Sequence, residues 1–65
     1  MELSENINKL GLYSSITKEL QDKKILKVGQ LCEMRKRELL KLGLTNDIIE
    51  QIEIKLQLQG LDLKR

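Results

Sequence analysis

Residues 39–49 read LLKLGLTNDII, and they contain the most informative pattern in the chain. A pair of leucines ends one short helix, a Leu-Gly-Leu turn follows it, and a second helix then begins. Gly43 supplies a backbone conformation at the turn that other residues resist. Thr45 or Asn46 can accept a hydrogen bond from the first free amides of the second helix. The stretch therefore predicts two helices joined by a tight apolar turn.

The helix after this turn has the clearest periodicity in the chain. Its apolar residues recur at helical spacing, at Ile48, Ile49, Ile52 and Leu56. At about 100° per residue they form one stripe roughly a quarter-turn wide, which is typical of a helix packed on a core. Gly60 is placed to end this helix. Residues 61–63 then form a tail whose two leucines can fold back onto the core.

The same helix carries a second apolar pair, Ile54 and Leu58, more than a third of a turn away from the main stripe. Two interpretations remain open. The N-terminal lead-in, residues 1–9, could cover this pair with Leu3 and Ile7, which also lie four residues apart. Alternatively, Ile54 and Leu58 form an exposed face for a protein partner or for self-association.

Three shorter helices are predicted before the last one, because apolar residues recur on one side of segments rich in helix formers. Two of them cover about residues 15–24 and about residues 28–33, and Leu39 with Leu40 anchors the third. The residues expected to be buried together are Leu20, Leu31, Leu40, Ile52 and Leu56. The 65 residues thus predict one all-α domain, a compact cluster of four to five short helices with residues 10–63 as its core fold.

Composition excludes most catalytic chemistry. The chain has no histidine and a single cysteine, Cys32, so the common nucleophile–base pairs and metal-binding patterns are absent. We therefore expect no enzymatic activity, no cofactor and no metal. A lone thiol fits a reducing, cytoplasmic setting, with Cys32 as a small core residue. The longest apolar run is two residues, so no membrane span is expected. Tyr13, the only aromatic residue, is expected to be half-buried rather than to stack on bases.

Net charge is only +2, so any contact with nucleic acid must be local. The densest basic site is Arg35-Lys36-Arg37, with Lys41 nearby. It predicts either a phosphate-contacting patch with salt-sensitive binding, or a solvated turn whose charges pair with the neighbouring Glu33 and Glu38.

Six ordered segments between Leu10 and Leu63 carry a resemblance to a known family. They are Leu10-Gly11-Leu12, Leu20, residues 25–31 with the pattern Ile-x-x-Val-Gly-x-Leu, Glu38-Leu39-Leu40, Ile52 with Leu56, and Gly60-Leu61-Asp62-Leu63. In this order and spacing the chain closely resembles the C-terminal domain of the bacterial RNA polymerase alpha subunit, which contains a helix-hairpin-helix motif. The match covers about five-sixths of the chain, with one apparent deletion at the hairpin.

The resemblance implies a compact cluster of four short helices plus an irregular turn. It also implies contact with the DNA minor groove upstream of promoters and docking on transcription activators. The expected partners are therefore DNA, RNA polymerase or a transcription regulator. The implied nucleic-acid surface consists of Ser15, Lys18, Gly43, Thr45 and Asn46, beside the basic residues Arg35, Lys36, Arg37 and Lys41.

Four positions depart from the family pattern. Ser15 stands where the family has its principal minor-groove arginine, and Thr45 where it has a second glycine that lets the backbone approach a phosphate. Asp47 and Ile48 replace a lysine and a serine at the start of the last helix, and Asp47 would repel phosphate. A second hypothesis is therefore a protein–protein interaction domain that keeps the fold but has lost the DNA-binding surface.

A weaker resemblance is to sterile alpha motif domains, which are small five-helix units with a Leu-Gly-Ile/Leu turn before a long last helix. Leu42-Gly43-Leu44-Thr45 carries this resemblance. The aromatic residues usual in those domains are missing here, and the spacing after the turn fits them less well.

Overall fold

The computed structural model describes all 65 residues, and every regular element in it is helical. A 3-10 helix precedes four α-helices, and no strand is formed. The elements are the 3-10 helix Ile7–Leu10, α1 (Ser14–Asp22), α2 (Val28–Cys32), α3 (Lys36–Lys41) and α4 (Asn46–Leu58). The prediction of an all-α cluster of four to five short helices is confirmed. None of these helices is both long and apolar enough to cross a membrane.

The turn between α3 and α4 has the predicted form. Gly43 lies in the left-handed region at φ 95°, where a side chain would be strained. The Gly43 and Leu44 amides donate to the carbonyls of Leu40 and Leu39 at 3.0 and 3.2 Å, which closes the end of α3. The Thr45 hydroxyl then accepts the Ile48 amide at 3.2 Å. Thr45 is therefore the residue that caps α4, and Asn46 is its first helical residue.

The core is entirely aliphatic. Thirteen residues are buried, and none of them is polar or charged. They are Ile7, Leu10, Ile16, Leu20, Ile25, Val28, Leu31, Leu39, Leu44, Ile49, Ile52, Leu56 and Leu63. Every helical element contributes to this cluster. No two helices by themselves could therefore bury their apolar surfaces.

Four of the five residues expected in the core are buried, and the prediction for Leu40 is wrong. Leu40 is 42% exposed, whereas the preceding Leu39 has no exposed surface. Successive residues on a helix point about 100° apart, so only one of two adjacent leucines can face the same neighbour. In α3 the residue that faces the core is Leu39.

The N-terminal segment serves as a partner for α2 and does not reach the outer side of α4. The Val28 and Gly29 amides at the start of α2 donate to the Glu5 and Leu3 carbonyls at 2.9 and 2.8 Å. A β-carbon on Gly29 would lie 3.0 Å from the Leu3 carbonyl oxygen and 3.1 Å from its β-carbon. A side chain at this position would force the lead-in, which passes directly over the helix, to shift by a few tenths of an ångström.

The C-terminal tail folds back as expected. Leu63 is buried and Leu61 packs against the core at its edge. The Lys64 amide donates to the Met34 carbonyl at 2.9 Å, and Lys64 forms a β-bridge with Arg35. This short contact brings the end of the chain beside the start of α3.

The first α-helix is shorter at its C-terminal end than predicted. It begins at Ser14 and ends at Asp22, not at residue 24. Lys23 follows as its C-cap, and Lys24 takes a left-handed conformation with φ 65°. Lys24 is the only residue other than glycine with a positive φ.

Candidate interaction surface

A cluster of exposed cations lies at the start of α3. Arg35 is the N-cap of α3, Lys36 and Arg37 occupy its first turn, and Lys41 its last. The β-bridge between Arg35 and Lys64 adds a fifth cation from the tail. We call these five residues the basic surface. The first four are close together in sequence and were predicted, whereas Lys64 was not, because only the folded tail brings it near.

The expected alternative, in which Glu33 and Glu38 neutralise this cluster, is wrong. The structure contains two ion pairs, Lys23 with Glu19 at 4.0 Å and Arg65 with Asp62 at 2.6 Å. Neither involves a member of the basic surface. The Glu38 carboxylate instead accepts a hydrogen bond from the Arg35 backbone amide at 3.1 Å. This is the bond from the N-cap amide to the third helical residue in a capping box. The five side-chain charges of the basic surface therefore face solvent without a carboxylate partner.

The N-terminus of α1 lacks a side-chain cap. Tyr13 occupies the N-cap position and offers no side-chain hydrogen bond, and the first turn has no acidic residue. Ser15 and Lys18 are exposed on this helix. Tyr13 is 71% exposed, so the prediction that it is half-buried is wrong. A residue that precedes the first turn is not held against the core by the helical stripe that begins at Ile16.

The N-terminus of α4 differs from that of α1, because it is already capped. The Thr45 hydroxyl occupies the place that a phosphate oxygen would take, and Asp47 adds a negative charge to the first turn. Carboxylates are favourable at this end of a helix, and they oppose a second anion there. Gly43, Thr45 and Asn46 thus form an exposed turn beside Lys41, where the charge of Asp47 disfavours a second anion.

A small pocket, which sequence reasoning did not predict, lies between the segment before α1 and the middle of α4. It has a volume of about 130 Å³ and is lined by Gly11, Leu12, Tyr13, Gln51 and Lys55. A pocket lined by residues this far apart in sequence is set by tertiary packing, so no local pattern could have indicated it.

The second apolar pair, Ile54 and Leu58, lies on the outer side of α4 and is not covered by any other segment. Ile54 is 41% exposed and Leu58 is 72% exposed. The interpretation in which Leu3 and Ile7 cover this pair is wrong. Ile7 is itself buried in the core, and Leu3 is held over Gly29 at the start of α2. The lead-in therefore contacts α2 and leaves Ile54 and Leu58 exposed to solvent.

Cys32 packs against the core and remains partly exposed. Burial raises the pKa of its thiol, and the negative charges of Asp62 and Glu33 act in the same direction. The thiol is therefore held in its protonated, less nucleophilic form at neutral pH. This environment suits a packing role for Cys32.

No protein-family model, curated protein or solved structure matches the chain. Function is therefore inferred from the fold and from the two surfaces described above.

Proposed function

We propose that this chain is a transcription-associated interaction module that resembles the C-terminal domain of the RNA polymerase alpha subunit and binds nucleic acid through its basic surface. The observation that carries this proposal is the group of five exposed cations on and beside α3, none of them in an ion pair. Cations without carboxylate partners are free to displace counterions from a phosphate backbone, which is the main source of affinity in non-specific binding.

The two helix N-termini support a DNA contact that differs from the family pattern. The family brings phosphate to the start of the last helix, but in this chain Thr45 and Asp47 occupy that position. The start of α1, with Ser15 and Lys18 nearby, has no side-chain cap and no acidic residue, so it carries no charge that opposes an anion as Asp47 does. We therefore expect phosphate contacts at the basic surface and not at the start of α4.

A second candidate function is protein–protein interaction, and the exposed Ile54 and Leu58 favour it. Aliphatic side chains four residues apart on one helix form a contact site that a partner can cover. This function would use α4 rather than α3, so the two candidates can be separated by experiment.

The test is a titration with an AT-rich duplex at low and at physiological salt, comparing Lys41→Gln with Lys9→Gln. Both lysines are exposed and lie in the last turn of a short helix, and each substitution removes one positive charge from the chain. We expect Lys41→Gln to weaken binding and to lower the salt dependence by about one phosphate contact, while Lys9→Gln changes little. Equal effects of the two changes would contradict the assignment of the basic surface.

A parallel titration with RNA polymerase tests the second candidate. Polymerase binding without DNA binding would favour a domain that has lost its DNA surface. Absence of both would reject the proposed function.

A further inference from the structure

The exposed side of α4 is an acidic and apolar face. It consists of Asp47, Glu50, Gln51, Ile54 and Leu58, which we call the α4 face. Angles around the helix axis are measured from Ile48 at about 100° per residue. The side chains of the α4 face lie between about 200° and 300°, and the buried side chains of α4 lie between about 40° and 100°. Two carboxylates lie toward the start of the helix, and two aliphatic side chains lie toward its end.

The exposed side of α3 has the opposite charge. Lys36, Arg37, Leu40 and Lys41 form what we call the α3 face. With Lys36 as zero, they fall between 0° and about 140°, whereas the buried Leu39 falls at about 300°. Leu40 lies three or four residues from two of the cations, so an exposed aliphatic side chain sits inside a cationic rim.

The charges of the two faces do not meet within one molecule. No ion pair joins α3 to α4, although the two helices pack against each other through the core. Each face points away from that contact, so only another molecule can bring the cations of one to the carboxylates of the other. We propose that a second copy of this chain is the partner of the α4 face, with its α3 face as the docking surface. This inference rests on the protein-interaction candidate above and names its partner.

The proposed contact is heterologous, because different surfaces of the two copies meet. The dimer as a whole keeps one unused α3 face and one unused α4 face, so association can continue beyond a dimer. Each face spans only about two helical turns, and a standard stable interface buries about 800 Å² per partner. That would be nearly a fifth of the 4330 Å² surface of the chain. The association is therefore weak, and its charged rim makes it weaker in high salt.

Sedimentation velocity from micromolar to millimolar concentration, without nucleic acid, tests this assembly. One variant removes the α4 face with Ile54→Gln and Leu58→Gln, and the other removes the α3 face with Leu40→Gln. Glutamine keeps helix propensity and leaves all charges in place. Leu26→Gln is the matched control. Leu26 is 44% exposed, nearly the same as Leu40 and Ile54, and it lies outside both faces.

We expect the mass of the unchanged chain and of Leu26→Gln to rise with concentration. Each face variant alone should lose its self-association and stay monomeric, whereas an equimolar mixture should form a 1:1 dimer and nothing larger. The mixture works because each variant supplies the face that the other lacks. A monomeric wild-type chain at millimolar concentration would overturn the proposal, as would self-association of either variant alone or a mixture that stays monomeric.

The same variants separate this inference from the proposed function. The α4-face variant keeps the whole basic surface, so it should bind the duplex like the unchanged chain while losing self-association. If duplex and polymerase binding are absent but the mixture still dimerises, the proposed function fails and this inference stands.

Discussion

Ile52 and Ile54 are the same residue type two positions apart on α4, yet Ile52 is completely buried while about two-fifths of Ile54 is exposed. Leu39 and Leu40 repeat this contrast on α3 at adjacent positions. In a domain this small each helix can bury only one side, so a second apolar side is left for solvent or a partner. The stability of the fold therefore depends on one face of each short helix, and the other face is left free for the contacts proposed above.

The largest expected effect tests the inner side of α4. Ile52→Ala removes a fully buried side chain and should lower the free energy of unfolding by about 2–5 kcal/mol. Ile54→Ala, the matched change two residues away, should cost less than about 1 kcal/mol, because most surface substitutions are mild. Urea denaturation of both variants measures this difference. An equal loss in the free energy of unfolding for both variants would show that the two faces of α4 contribute equally to stability, contrary to their burial.

The adjacent leucines of α3 provide a second comparison of smaller size. Leu39→Ala should destabilise the domain by about 2 kcal/mol or more, since the side chain is fully enclosed. Leu40→Ala should be within about 1 kcal/mol of the unchanged chain, because alanine favours helix and the side chain is already partly solvated. Thermal unfolding of the two variants measures their stability. A reversed order would mean that α3 is rotated by about one residue relative to the described packing.

These leucines also show how far the sequence predicts the fold. Periodicity over thirteen residues identified the buried side of α4, and the Leu-Gly-Leu stretch identified the turn before it. Six residues of α3 are too few for the same argument, because either leucine satisfies the pattern. The choice between them is made by the packing of α3 on α4, which is a tertiary contact.

The candidate surfaces were predicted in part for the same reason. The cations of α3 are consecutive, so their cluster follows directly from sequence. Lys64 joins them only through the tail contact with Met34 and Arg35. Whether Ile54 and Leu58 were covered depended on the path of the lead-in. That path is fixed by backbone hydrogen bonds to α2, which no side-chain pattern reveals.

The C-terminal tail repeats the division into an inner and an outer side, and it gives the smallest expected effect. Leu63 points inward and is buried, while the Asp62 carboxylate beside it accepts the Leu63 amide at 2.8 Å and an Arg65 guanidinium nitrogen at 2.6 Å. The hydrogen bond from Arg65, followed by that from the Leu63 amide, lowers the pKa of Asp62 below its usual value. The ionised carboxylate is thus favoured by the folded tail.

Acid should therefore weaken the tail through Asp62. Because the pKa is lower in the folded protein than in the unfolded chain, this contribution to stability is complete above the unfolded-chain pKa and is lost as pH falls through the folded-state pKa. Asp62→Asn keeps an oxygen for the Leu63 amide but removes the charge that Arg65 contacts. We expect this variant to be slightly less stable than the unchanged chain at neutral pH, and the difference in free energy of unfolding to shrink toward zero in acid. Urea denaturation across this pH range measures the difference. A stability difference that stays constant into acid would show that the tail is held by Leu63 and its backbone hydrogen bonds alone, with no contribution from the contact between Asp62 and Arg65.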